Sequence, residues 1–147
     1  QMPSPFPGAS LDAEARMRNA RQMLSFSVAQ TASSSSKVWQ RGFRVNFAGQ
    51  DGVDDGGLTK AWGQELAFAL WGNDDYFETR GVGWCFFKPD STKTLDLDGS
   101  KVSSQEMYRW TGRFVAYLLY QHCLVDCCLC PWAFRALHRF AHARQYG

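Results

Sequence analysis

Long apolar runs are missing from this 147-residue chain. A helix needs ~20 consecutive apolar residues to cross a bilayer, and none of the stretches here approaches that. A dominant charge is missing too: 16 Lys and Arg stand against 14 Asp and Glu, a net +2. That balance carries no footprint of binding to nucleic acid or to an anionic membrane surface. A disulfide framework is absent, because the five cysteines are an odd number and four of them fall between Cys123 and Cys130. Such spacing is expected in a reducing setting, the cytoplasm or the nucleus. The opening residues QMPSPFPGAS carry neither the basic nor the apolar region of a secretory signal. No GxSxG, GxxxxGK or GxGxxG motif occurs. What the chain has in quantity is apolar surface, with 45% hydrophobic and 15% aromatic residues. It therefore builds a core, and it is expected to be one domain or a piece of one.

The clearest local pattern is Phe43 to Trp62, FRVNFAGQDGVDDGGLTKAW. Phe43, Val45 and Phe47 alternate with polar residues and predict a strand. A glycine-rich acidic turn follows. Leu58, Trp62, Leu66 and Leu70 then recur at steps of four, a helical stripe. This helix is expected to end near Trp71, with Gly72 left-handed at its C-terminus. Upstream, residues 1–11 read as an irregular lead-in, and Met17, Ala20, Leu24 and Val28 mark a first helix behind a Ser10 cap. Residues 31–36 read as a flexible linker and 73–83 as a polar connection. Residues 84–87 predict a buried strand ended by Pro89, and 94–97 a second short one. Ser103 and Glu106 form a capping box. The helix they open, through Met107, Trp110, Phe114, Tyr117 and Leu118 to about His122, is apolar around most of its circumference and belongs at the centre of the core. Pro131 opens a last helix bearing Phe134, Leu137, Phe140 and Ala141. The fold class is α+β, predominantly α.

Three constellations invite chemistry. Asp51, Asp54 and Asp55 suggest calcium, but their spacing departs from the twelve-residue calcium loop. Capping of the following helix is the alternative reading. His122, Cys123, Cys127, Cys128, Cys130 and His138 suggest zinc, without the separated ligand pairs of a zinc knuckle. Buried packing of the thiols is the alternative. A thiol nucleophile beside His122 is disfavoured, because sequence neighbours on a helix diverge. Arg16, Arg18 and Arg21 read as a solvated face. No metal or cofactor is expected.

Several segments, in order, resemble the amino-terminal lobe of the HECT domain of ubiquitin-protein ligases. Gly49, Gly52, Val53, Asp54, Gly56, Gly57, Leu58, Thr59 and Trp62 match the loop and the helix that a Gly-Gly pair opens. DYFE at 75–78 and FFKPDS at 86–91, with Pro89 in place, resemble the segments that follow. WTGRFVAYLLYQHCLVD at 110–126 resembles the long buried helix, with Gly112, Arg113, Tyr120, Leu124 and Asp126 matching. Ala61 stands where the family has Glu, and Thr79 where it commonly has Tyr. The resemblance implies that residues 12–147 are the first half of that lobe, an incomplete domain and a scaffold. The whole protein would be a ubiquitin-protein transferase, passing ubiquitin from a conjugating enzyme through a cysteine thioester to lysines of protein substrates. It implies no catalytic residue in this chain. It also implies a ubiquitin-binding surface to which Phe77 and Phe86 contribute. A non-catalytic module binding ubiquitin or another partner is the alternative.

Overall fold

The computed structural model describes residues 13–47, 56–88, 94–97, 100–126, 128–136 and 139. Three helices and one hairpin account for most of the architecture. α1 (Ala13–Thr31) buries Ala20, Met23, Leu24, Ser27 and Val28, a stripe at steps of three and four. It packs along α3 (Gly57–Trp71), which buries Trp62, Leu66 and Leu70 on the facing side. The Trp62 indole donates to Ser27 Oγ at 3.0 Å, so the polar atom of the largest core side chain is satisfied inside the helix pair.

α4 (Ser104–Tyr120) starts as the sequence predicts. The Ser103 hydroxyl accepts from the Glu106 amide at 3.3 Å, and the Glu106 carboxylate accepts from the Ser103 amide at 3.0 Å. It is less apolar around its girth than expected. Met107, Trp110, Phe114, Tyr117 and Leu118 are buried, while Gln105, Arg109, Gly112, Ala116 and Leu119 face out. α4 ends at Tyr120 in a Schellman motif, two residues before the expected His122. The Cys123 amide reaches Leu118 O at 2.9 Å, the His122 amide reaches Leu119 O at 3.1 Å, and His122 takes φ +54°.

Between α1 and α3 the structure departs from a flexible linker. Residues 32–35 turn into a short helix, α2 (Ser36–Arg41), and Arg113 of α4 donates to Ala32 O and Ser34 O. α2 exists to place Trp39, which meets Phe43, Trp110 and Tyr117 edge-on. Gly42, at φ +79°, then swings the chain into residues 43–47. Val45 and Phe47 point in and Arg44 and Asn46 out, so the alternation holds. No strand ladder forms among the described residues there: the segment is extended, Phe47 makes an isolated bridge, and aromatic rings pack against Phe43. Phe43 stacks on Tyr117 at 4.4 Å and meets Trp62 edge-on at 5.5 Å.

The stretch expected to be a polar connection contains a strand. β1 (Phe77–Arg80) pairs antiparallel with β2 (Trp84–Phe87), Phe77 opposite Phe87. Gly81 and Gly83 take the positive φ values the tight turn needs. Only Cys85 of β2 is fully buried, because a two-stranded ribbon has one face to hide. Gly72 is not left-handed but at φ −83°, with the Asn73 amide closing a tight bond to Leu70 O. A methyl group there would crowd Met17 Cε at 3.1 Å. A second hairpin joins β3 (Leu95–Leu97) and β4 (Ser100–Val102). Residues 131–136 are helical, as Pro131 predicts. The fold is α+β, predominantly α.

Candidate functional site

The β1–β2 hairpin is the element that carries the sequence-predicted binding residues, and its register sorts them. Phe77, Thr79, Cys85 and Phe87 share one face, and Glu78, Arg80, Trp84 and Phe86 the other. Phe77 is 1% exposed, wedged between Trp71, Phe87 and Tyr108, and offers a partner no surface. The expected pair therefore reduces to Phe86, which is half-buried. Beside it lie Trp84, 40% exposed, and Arg80, whose guanidinium sits 5.5 Å above the Phe86 ring. Arg80 also bonds Glu78 at 2.7 Å, and that hydrogen bond holds the Glu78 carboxyl below the usual range. The outer face is an aromatic platform with a neutralised ion pair, suited to contact rather than to proton transfer.

The hairpin is fixed to the helices by Tyr108, which the sequence reading did not single out. From the second turn of α4 its hydroxyl reaches Tyr76 O at 2.9 Å and Lys88 O at 2.7 Å, the two residues that flank the open end of the ribbon. Burial pushes its phenol pKa up. In sequence this Tyr looks like its core companions on α4, and no local pattern marks it as an anchor.

The chain returns to the hairpin after α4. Cys85 N donates to Cys128 O at 2.7 Å, Cys130 N donates to Cys85 O at 3.1 Å, and the Trp71 indole donates to Asp126 O at 2.8 Å. Cys85, Cys123 and Cys130 are buried and Cys128 is half-buried. Burial pushes the Cys128 thiol up, and Cys85 and Asp126 push it further. That is the opposite of the lowered pKa a catalytic thiol needs. Among the described residues, no three His, Cys, Asp or Glu side chains converge on a metal position.

No family model, curated protein or solved structure matches this chain.

The motif residues take architectural positions where they are described. Gly56, at φ +94°, is the N-cap of α3. Leu58 is half-buried and Trp62 buried. Arg113 anchors the turn before α2, Gly112 is exposed with open space where a side chain would sit, and the Asp126 carbonyl accepts from the Trp71 indole. Gly49, Gly52, Asp54 and Pro89 lie outside the described residues, as do the other acidic-loop positions, Cys127 and His138. A cleft of about 620 Å³ between α1, α3 and the segment after α4 is lined by Arg16, Met17, Phe68, Trp71 and Leu124. Arg16 is already committed there, to Glu65 at 2.9 Å and over the Phe68 ring at 4.4 Å.

Proposed function

We propose that this chain is scaffold from the amino-terminal lobe of a HECT-type ubiquitin-protein ligase. The whole protein would accept ubiquitin from a conjugating enzyme as a cysteine thioester and pass it to substrate lysines, in the cytoplasm or nucleus. The observation that carries the reading is where the two longest family-like segments meet. Trp62, from the Gly-Gly helix, packs edge-on against Phe114 and Tyr117 of the WTGRF helix, at 5.4 and 6.1 Å. Gly63 lets the same two helices approach closely, since a methyl group there would stand 2.7 Å from Leu118 Cδ2. Motifs about fifty residues apart thus serve one core, as shared architecture requires.

The role is structural. Cys85, Cys123 and Cys130 are buried, and burial pushes the half-buried Cys128 thiol up, so the reading puts the transferring cysteine in another part of the protein. A longer protein carrying this segment, incubated with ubiquitin, ATP, activating enzyme and conjugating enzymes, should acquire a thiol-reducible ubiquitin adduct on a cysteine outside residues 1–147. The segment alone should acquire none. An adduct on any of Cys85, Cys123, Cys127, Cys128 or Cys130, or no adduct on the longer protein, overturns the proposal.

The second reading, a ubiquitin- or partner-binding module, is favoured by the exposed Trp84 and Phe86 platform. Titration with ubiquitin should then shift the amides of 78–86 together. Unmoved amides leave scaffold alone.

A further inference from the structure

We infer that the open edge of β1 is a self-pairing surface, where a second copy of this chain adds its own β1 antiparallel across a two-fold axis at Thr79. The backbone of the ribbon decides which groups face outward. The Lys88 amide donates to Tyr76 O at 3.0 Å, so Tyr76 and Lys88 continue the β1–β2 register as a hydrogen-bonded pair. Antiparallel pairs alternate. Glu78–Phe86 and Arg80–Trp84 therefore bond across the ribbon, while Phe77–Phe87 and Thr79–Cys85 turn their amides and carbonyls outward. The β2 side agrees, because Cys85 uses both outward groups: it donates to Cys128 O at 2.7 Å and accepts from the Cys130 amide at 3.1 Å. At Cys85, then, β2 is bonded on both edges. β1 has no second strand neighbour among the described residues, and Thr79 and Arg80 are exposed. Its free edge presents the Thr79 amide and carbonyl. The Phe77 amide is already spent on Asn73 O at 3.0 Å.

Charge selects both the occupant and the register. A two-fold antiparallel pair must set outward-facing residues opposite one another. Pairing Phe77 with Phe77 or with Thr79 calls on the spent Phe77 amide, and the second choice also sets Glu78 against Glu78. Pairing Thr79 with Gly81 sets Arg80 against Arg80. Like charges directly opposite are unfavourable. Pairing Thr79 with Thr79 sets Glu78 of each copy against Arg80 of the other, twice, on the outer face. The existing Arg80–Glu78 ion pair, at 2.7 Å, then becomes half of a ring of four alternating charges. A foreign peptide would have to supply that pattern, whereas a second copy has it by symmetry. The four-stranded sheet that results carries Trp84 and Phe86 of both copies on one face. Its new edge is four residues long, so the dimer is weak and reversible.

The test is sedimentation velocity of the full chain from micromolar to millimolar concentration. The wild type should pass from monomer to dimer, and exchange of the Thr79 amide should slow as it does. Glu78→Arg and Arg80→Glu, each alone, set like charges face to face and should stay monomeric where the wild type is dimeric. Mixed one to one, the two variants should pair with each other. The chain carrying both substitutions should dimerise as the wild type does. Thr79→Pro removes a donor that β1–β2 pairing does not use, so it should keep its circular dichroism and lose the dimer. A wild type that is monomeric at the highest concentration overturns the proposal. So does a dimer that survives either single charge reversal, which would be held at another surface, or a mixture of the two variants that stays monomeric.

Discussion

Single residues carry two burdens here that the surrounding fold had to accommodate. His122 occupies the left-handed position of a Schellman motif that most helices give to glycine. An L-residue there costs about 1–2 kcal/mol, part of which glycine loses again through the entropy of its unfolded chain. His122→Gly should therefore stabilise the protein, by up to about 1 kcal/mol in urea denaturation, and a loss of stability would show that the imidazole itself contributes. Trp110 shows the reverse, a large residue made cheap to bury. Its indole donates to Thr31 Oγ1 at 2.7 Å, and Thr31 in turn donates to Ser27 O at 2.6 Å. The chain of bonds ends on α1, so the Trp110 indole enters the core with its donor satisfied.

At the scale of elements, α4 has the most to test. Its start depends on a carboxylate, since the Ser103 amide and then the Ser103 hydroxyl hold the Glu106 carboxyl below the usual range. A depressed carboxyl stabilises the fold above the ordinary Glu range and loses that contribution as pH falls through its folded value. Acid titration of the melting temperature should show the wild type losing more than Glu106→Gln over that window. Equal slopes would place the bond outside the folding equilibrium. Ser103→Ala removes the other half of the box and should cost about 1 kcal/mol. The approach of α3 to α4 rests on Gly63. Gly63→Ala would normally help a helix by ~0.5–1 kcal/mol, yet the new methyl group meets Leu118 Cδ2 at 2.7 Å in a closed core. The net effect should be destabilising by about 1–3 kcal/mol, and Leu118→Val should recover part of it. Additive effects of the two substitutions would argue against the contact.

The molecule as a whole has a firm body and a thinner rim. α1, α3, α4 and the aromatic cluster of Trp39, Phe43, Trp62, Trp110, Phe114 and Tyr117 form the body. The β1–β2 hairpin is joined to it by Tyr108, by Phe77 and by the bonds at Cys85. One strand edge and the outer face of a two-stranded ribbon stay open to water. Native-state hydrogen exchange should therefore find the slowest amides at the centres of α1, α3 and α4, with 78–86 exchanging faster. Equal protection across the two would mean that the hairpin opens only with the body.

The sequence by itself determined what depends on near neighbours. The stripes of α1, α3 and α4, the Ser103–Glu106 box and the Pro131 helix start are each decided within one or two turns of chain. The same holds for the inward set Val45 and Phe47, whose alternation survived although the strand did not form. Tertiary structure decided the rest, because the partners lie far along the chain. Residues 43–47 join no strand ladder among the described residues, and aromatic rings from α2, α3 and α4 pack against Phe43. α2 is too short to announce itself by periodicity, and it is held by Arg113 from about eighty residues away. Phe77 looked available in sequence and is buried because Tyr108 and Trp71 close over it. Cys85 and Cys128 belong to separate segments, and only the fold brings their backbones into hydrogen-bond contact.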